Sequence, residues 1–185
     1  MTLDRILPFA RHLLEKCIVT GDVVVDATCG NGNDTLFLAN LVGRTGKVYG
    51  FDVQQMAVNN TKQRLIEHGH FNTDVILDGH EHVLRYISQE ISGAIFNLGY
   101  LPGSDMSITT HSKTTWKAVT DLLSLLKKNG VIVLVIYHGH AEGKKEREEL
   151  EELIANLDNY KTSVLRYEFL NKNNAPYIIA IEKVN

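Results

Sequence analysis

Apolar positions along the chain alternate between two patterns. Short β-branched runs that end in an acid or amide give way to stretches whose apolar residues recur at helical spacing. The first stretch, residues 3–18, sets Leu3, Ile6, Leu7, Leu14 and Ile18 at near-helical spacing, with Pro8 expected to kink or offset it. Strands are predicted over 22–27, 46–51, 74–77, 91–98 and 131–137. Between them, helices are predicted over 33–41, 56–68 and 114–128, with a further helix from about residue 80 to about residue 86. Gly43 and Gly69 close the first two of these helices, and Asn129-Gly130 is expected to cap the helix over 114–128. A helix over 141–157 follows, then strands over 163–170 and 176–182 joined by the loop 171–174.

Strands alternating with helices imply a parallel sheet covered on both faces. Two final strands with no helix between them form an antiparallel hairpin at one edge. The expected fold is therefore α/β, a Rossmann-like doubly wound sheet of seven strands, mostly parallel, in a single domain over residues 1–185. The polar stretch from Gly99 to Thr115 breaks the pattern. A loop of that length in a small domain usually has a function.

Composition narrows the class only a little. Apolar content of 44% and charged content of 22% are ordinary for a soluble globular chain. A net charge of −3 gives no global attraction to nucleic acid. The charge run from Lys144 to Glu152 reads as a solvated helix face with i,i+4 pairs. Cys17 and Cys29 lie in a predicted helix and a loop, with no CxxC or Cys/His spacing, so neither a disulfide framework nor a metal site is expected. No apolar run is long enough to span a bilayer, and the expected compartment is the cytoplasm.

The chemistry centres on Val23-Val24-Val25-Asp26-Ala27-Thr28-Cys29-Gly30-Asn31-Gly32-Asn33-Asp34-Thr35. A buried strand ends in an acid, turns through two glycines and opens a helix, which is how a nucleotide is placed at a helix N-terminus. The spacing lacks the third glycine of a pyrophosphate-binding loop, and Asp26 would repel a pyrophosphate, which counts against NAD. A ligand with an ammonium and no phosphate, such as S-adenosylmethionine, suits that acid. Asp52 ends the next strand twenty residues after Gly32, where a carboxylate can hold ribose hydroxyls, and Gln54 follows it closely. Asp78 ends the third strand and can accept from an adenine amino group or cap the next helix. His80 is a candidate purine contact beside it.

These motifs resemble class I S-adenosylmethionine-dependent methyltransferases, over Asp26 to Thr35 and over Phe51-Asp52-Val53-Gln54. Asn97-Leu98-Gly99-Tyr100-Leu101-Pro102-Gly103 and Tyr137-His138-Gly139-His140 are similar to a small bacterial family labelled rRNA methylases. Characterised members of that family methylate the aminomethyl group of 5-aminomethyl-2-thiouridine at the tRNA wobble position. The resemblance runs over nearly the whole chain. It implies a cofactor site carried by Asp26, Thr28, Gly30, Asn31, Gly32, Asn33, Asp34, Asp52, Gln54, Asp78, His80 and Asn97.

A nitrogen nucleophile needs acceptors for its N–H bonds and must shed a proton before attack. Asn97 supplies an amide oxygen, Tyr100 a ring that packs on a base, and His140 a proton acceptor that Tyr137 could orient. The sequence departs from the family pattern in two places. Leu98-Gly99 replace the two prolines that often follow the amide in amino-group methyltransferases, and His138 replaces a proline. The implied partner is a tRNA anticodon stem-loop, with Arg5, Arg11, Lys113, Lys117 and Lys172 as candidate RNA contacts. A homodimer through the apolar N-terminal helix is a further expectation. Methylation of another RNA or of a small amine, and cofactor binding without turnover, remain alternatives at this point.

Overall fold

Strand residues alternate between two layers, and that alternation explains how the chain closes. In the computed structural model, residues 2–98, 111–137 and 141–185 are described, apart from the side chains of 141–143 and 146. The strands are β1 (Val23–Asp26), β2 (Lys47–Asp52), β3 (Thr73–Leu77), β4 (Ile91–Leu98), β5 (Leu126–Ile136), β6 (Thr162–Tyr167) and β7 (Tyr177–Lys183). They form one seven-stranded sheet in the order β3-β2-β1-β4-β5-β7-β6. Strands β1 to β5 run parallel, and β7 enters antiparallel between β5 and β6. The expected class, mostly parallel strands with an antiparallel hairpin at one edge, is what the chain adopts.

The helices are α1 (Ile6–Glu15), α2 (Asn33–Val42), α3 (Gln55–Glu67), α4 (Ser112–Leu125) and α5 (Ala141–Ala155), with a short 3-10 helix over His80–Arg85. In β5, Val131, Val133 and Val135 join one apolar layer with α1, α2 and α3. Ile132, Leu134 and Ile136 join the opposite layer with α4, α5 and the 3-10 helix. The central strands β1, β4, β5 and β7 thus bury both faces, as a doubly wound sheet requires, while the edge strand β6 is mostly exposed. The apolar face of α1, with Ile6, Ala10 and Leu14, is buried against this sheet. Leu7 on α1 and Leu3 before it remain exposed.

Local departures from the expected boundaries have physical causes. Pro8 is the third residue of α1. Its missing N–H falls among first-turn donors that have no intrahelical partner, so of the two expected effects, a kink or an offset, the helix shows the offset: it begins at Ile6 rather than at residue 3. The α4 helix ends at Leu125 rather than continuing to 128, because Leu126 turns extended and enters the core opposite Ile91. The β4–β5 register then shifts before Gly93 meets Val131. Asn129, with φ 64°, sits inside this stretch rather than capping the helix. No helix among the described residues is long and apolar enough to cross a membrane.

Candidate active site

Strand order reverses between β1 and β4, and the loops after parallel strands diverge there to leave a crevice at the carboxyl edge. Asp26, Asp52, Asp78, Asn97 and Tyr137 all lie at or just past carboxyl ends of strands on this edge. The crevice is tied across its mouth by one bond, in which the Asn97 backbone N–H donates to Thr28 Oγ1 at 2.7 Å. That bond fixes the end of β4 against the loop after β1. It also leaves the Thr28 hydroxyl proton available for another acceptor.

The loop from Ala27 to Gly32 is held from below and from the side. Asp26 is 1% exposed. Its Oδ1 accepts from the Thr28 N–H at 3.1 Å and its Oδ2 from the Thr35 hydroxyl at 2.6 Å. Burial pushes the Asp26 carboxyl up to about 7, assisted by the charges of Asp34 and Asp52 and opposed by those hydrogen bonds. Asp26 thus braces the loop from beneath rather than lining an open surface. Gly32 adopts φ 78°, and a Cβ there would stand 2.9 Å from the Thr61 Cα, so α3 packs directly on the turn. From α3, Thr61 Oγ1 donates to the Gly30 carbonyl at 3.2 Å and Arg64 Nε to the Asn31 carbonyl at 2.8 Å.

Asp52 closes the other side of the loop. Its Oδ2 accepts from the Gly30 N–H at 3.0 Å and its Oδ1 from the Gln54 N–H at 2.9 Å. Each oxygen keeps a second lone pair, so the half-buried carboxylate can accept two further donors, the requirement for a vicinal diol. Val53, next to it, is 60% exposed and offers an uncovered apolar side chain. The N–H groups of Thr28, Gly30 and Gly32 are spent within the loop, the last on the Cys29 carbonyl at 2.8 Å. They do not form the free anion cradle of a pyrophosphate site. The side chains of Asn31 and Asn33 turn toward α3 and line an open polar recess of about 330 Å³ with Asn60, Gln63, Arg64 and Glu67.

Asp78 is engaged with its own following turn. The Asp78 carboxylate accepts from His82 Nδ1 at 2.7 Å, from the Tyr86 hydroxyl at 2.8 Å and from the Gly79 N–H at 2.8 Å. Burial alone would raise its pKa, but these hydrogen bonds outweigh that effect and hold the carboxyl below the usual carboxylate value. His80 is buried, and its ring sits edge-on to Phe96 with centroids 5.4 Å apart. Its Nδ1 lies 3.0 Å from the Ala27 carbonyl. A carbonyl only accepts, so Nδ1 carries the proton and Nε2 is a bare acceptor. Among the described residues, Nε2 is buried with no hydrogen-bond partner. Burial lowers the His80 pKa, which keeps the ring neutral.

Past the crevice, Asp34 in the first turn of α2 gathers a second group. Its Oδ1 accepts from Arg11 Nη2 at 2.9 Å and Nε at 3.3 Å, and its Oδ2 lies 3.4 Å from Asn97 Nδ2. The Asn97 amide also lies near the Tyr137 phenol and opposes the rise in its pKa. Burial, then the charge of Asp34, pushes the Tyr137 phenol up, so it remains neutral at physiological pH. Asp34 and Asn97, both candidate cofactor residues, thus lie side by side. Tyr100, His138 and His140 lie outside the described residues, as does the loop over 99–110.

The basic residues divide. Arg11 is committed to Asp34, Lys117 to the Glu81 carbonyl and Asp121, and Lys172 lies over the Phe169 ring at 4.4 Å. Lys113 instead lines a cavity of about 420 Å³ with His111, Ser112, Lys145 and Glu149, where α4 and α5 begin on the carboxyl edge. Lys144–Glu148 and Lys145–Glu149 form the expected i,i+4 pairs of the charge run. Sequence reasoning missed the partnership of His82 and Tyr86 with Asp78, although the i,i+4 spacing of Asp78 and His82 was a usable signal. The pairing of Arg11 with Asp34, 23 residues apart, carries no local signal in the sequence.

Comparison with known proteins gives concordant results. A family model described as putative rRNA methylase matches residues 48–182. The chain is 34% identical over 193 residues to a chloroplastic tRNA (mnm(5)s(2)U34)-methyltransferase of Arabidopsis thaliana, covering 94% of this chain and 68% of that protein. Among solved structures, a putative rRNA-methylase from Clostridium thermocellum superposes with TM-score 0.97 at 40% identity, covering 100% of both chains. A putative methyltransferase from Streptococcus mutans, solved in complex with SAH, superposes with TM-score 0.91 at 34% identity over 99% of this chain and 100% of that one.

Proposed function

This chain belongs to the putative rRNA methylase family of S-adenosylmethionine-dependent methyltransferases, and from that premise we propose that it methylates the aminomethyl nitrogen of 5-aminomethyl-2-thiouridine at the wobble position of tRNA. The observation that carries the reading is the Asp34–Asn97–Tyr137 group at the mouth of the crevice. It offers an oriented amide to an amine, and the relative of Arabidopsis thaliana named above bears that reaction in its name.

The residues fit the cofactor. Asp52 keeps free lone pairs for the ribose hydroxyls, and Val53 gives an apolar surface for the adenine. The orphan His80 Nε2 is an acceptor in want of a donor such as the adenine amino group. Asp78, the first candidate for that role, retains a lone pair beyond its local bonds. The Asp34 carboxylate favours an ammonium. Bound S-adenosylmethionine supplies an electrophilic methyl on a sulfonium.

The protein's task is alignment. The Asn97 amide oxygen accepts an N–H of the substrate amine and turns its lone pair toward the methyl. An alkyl amine with a pKa of ~10 must lose a proton first, and His140 is the proposed acceptor, with Tyr137 neutral beside Asn97. Tyr100 packs on the base. A wobble base is single-stranded and can be splayed into a pocket at little cost. Lys113 and Lys145 stand at the carboxyl edge to meet the anticodon backbone.

The test uses purified protein, S-adenosylmethionine and tRNA with or without the aminomethyl group, read by mass spectrometry of the digested nucleosides. Methyl transfer confined to the aminomethylated tRNA is expected. Equal methylation of tRNA carrying unmodified uridine, or of rRNA, would overturn the proposal.

A further inference from the structure

An asparagine amide has nearly the same shape when its oxygen and nitrogen are exchanged, so only its hydrogen-bond partners decide which way it faces. For Asn97 the partners are unequal. The neighbouring Tyr137 hydroxyl can donate or accept, so it imposes no orientation of its own. The Asp34 carboxylate can only accept, and it lies 3.4 Å from Nδ2. Among the described residues, this carboxylate is what forces the amide nitrogen inward and leaves the oxygen as the free acceptor. With the amide reversed, two N–H donors would face an amine that itself brings donors.

Asp34 is in turn held by one cation. Arg11 reaches across from α1 and places Nη2 and Nε on the same carboxylate oxygen, Oδ1, leaving Oδ2 for Asn97. The guanidinium is itself pinned over the Phe37 ring at 5.1 Å, and α1 is seated by its buried Ile6, Ala10 and Leu14. Resting on the amine-methylation reading above, we propose that Arg11 is a positioning residue: through Asp34 it sets the orientation of the Asn97 amide that receives the substrate amine. It touches neither substrate nor cofactor in this role, and it is not one of the RNA-binding cations.

The variants Arg11→Met and Arg11→Lys, each also placed in an Asn97→Ala background, separate this role from the alternatives. Arg11→Met should lower kcat about tenfold to a hundredfold, the scale of a misaligned reacting group, with KM for S-adenosylmethionine and for tRNA unchanged. Arg11→Lys should recover part of the loss, since it restores the charge without the fork. In the Asn97→Ala background, Arg11→Met should cost nothing further. An equal loss in both backgrounds would overturn the proposal, as would a loss confined to cofactor or tRNA affinity. A second readout needs no substrate. The Asn97 side-chain amide resonance, identified by its absence in Asn97→Ala, should shift in Arg11→Met, and an unmoved resonance would also overturn the proposal. If wild-type protein left aminomethylated tRNA untouched, the substrate reading would fail while this resonance still decided the role of Arg11.

Discussion

Replacing Asp26 by asparagine should remove a specific part of the pH dependence of folding. Asp26 is 1% exposed, and burial, then the charges of Asp34 and Asp52, pushes its carboxyl from 3.8 up to about 7. Between those two values the native protein holds a proton that the unfolded chain has released. Stability therefore falls as pH rises through this window and levels off above it. From pH 5 to pH 9 the active part is the stretch below about 7. At ~1.36 kcal/mol per unit this amounts to roughly 3 kcal/mol. Asparagine keeps the shape and an acceptor for the Thr28 N–H, and it does not titrate. Urea unfolding of wild type and Asp26→Asn across that range gives the difference directly, and shared titrations such as that of His80 cancel in it. Wild type should lose about 3 kcal/mol relative to the variant toward high pH. Parallel curves would refute the account of Asp26 as a buried, loop-bracing carboxyl.

Two further substitutions probe the loop. Asp52→Ala should weaken S-adenosylmethionine binding by about 1–3 kcal/mol by calorimetry, because it removes the ribose acceptors and frees the N–H groups of Gly30 and Gln54. Unchanged affinity would remove Asp52 from the site. Gly32→Ala combines a φ of 78° with a Cβ placed 2.9 Å from the Thr61 Cα. It should cost about 2 kcal/mol or more of stability by thermal or urea unfolding, and a neutral result would contradict the close packing of α3 on the turn.

Much of the site was legible because its signals are local. The run from Val23 to Thr35 carries a strand, a turn and a helix start in consecutive residues, and Asp52 repeats the strand-end acid one unit later. The mostly parallel character of the sheet and its antiparallel edge followed from the alternation of strands and helices, whereas the order of the strands did not. What escaped the sequence depends on three-dimensional neighbours. The burial of Asp26 under Thr28 and Thr35 cannot be read from its place before a glycine loop. Arg11 meets Asp34 only because α1 lies on the same face as α2. The early end of α4 reflects a register choice between β4 and β5 that no helix-stop residue announces. His82 lies near the start of the 3-10 helix, four residues after Asp78, a spacing that permits their bond without requiring it.

The insertion of β7 between β5 and β6 has a consequence for how the chain acquires its structure. When β6 is first synthesised its hydrogen-bonding neighbour does not yet exist, and the outer edge of β5 is a bare ladder of donors and acceptors. Only Tyr177–Lys183 satisfies both at once, sending Ile178 and Ala180 into one apolar layer and Tyr177, Ile179 and Ile181 into the other. The strand that comes last in order is thus the keystone of both cores. A nascent chain halted before it would present an open, hydrophobic β5 edge and a β6 free to pair with other chains. For this topology, protection from aggregation arrives late, and chaperone holding would matter most during the interval between β5 and β7.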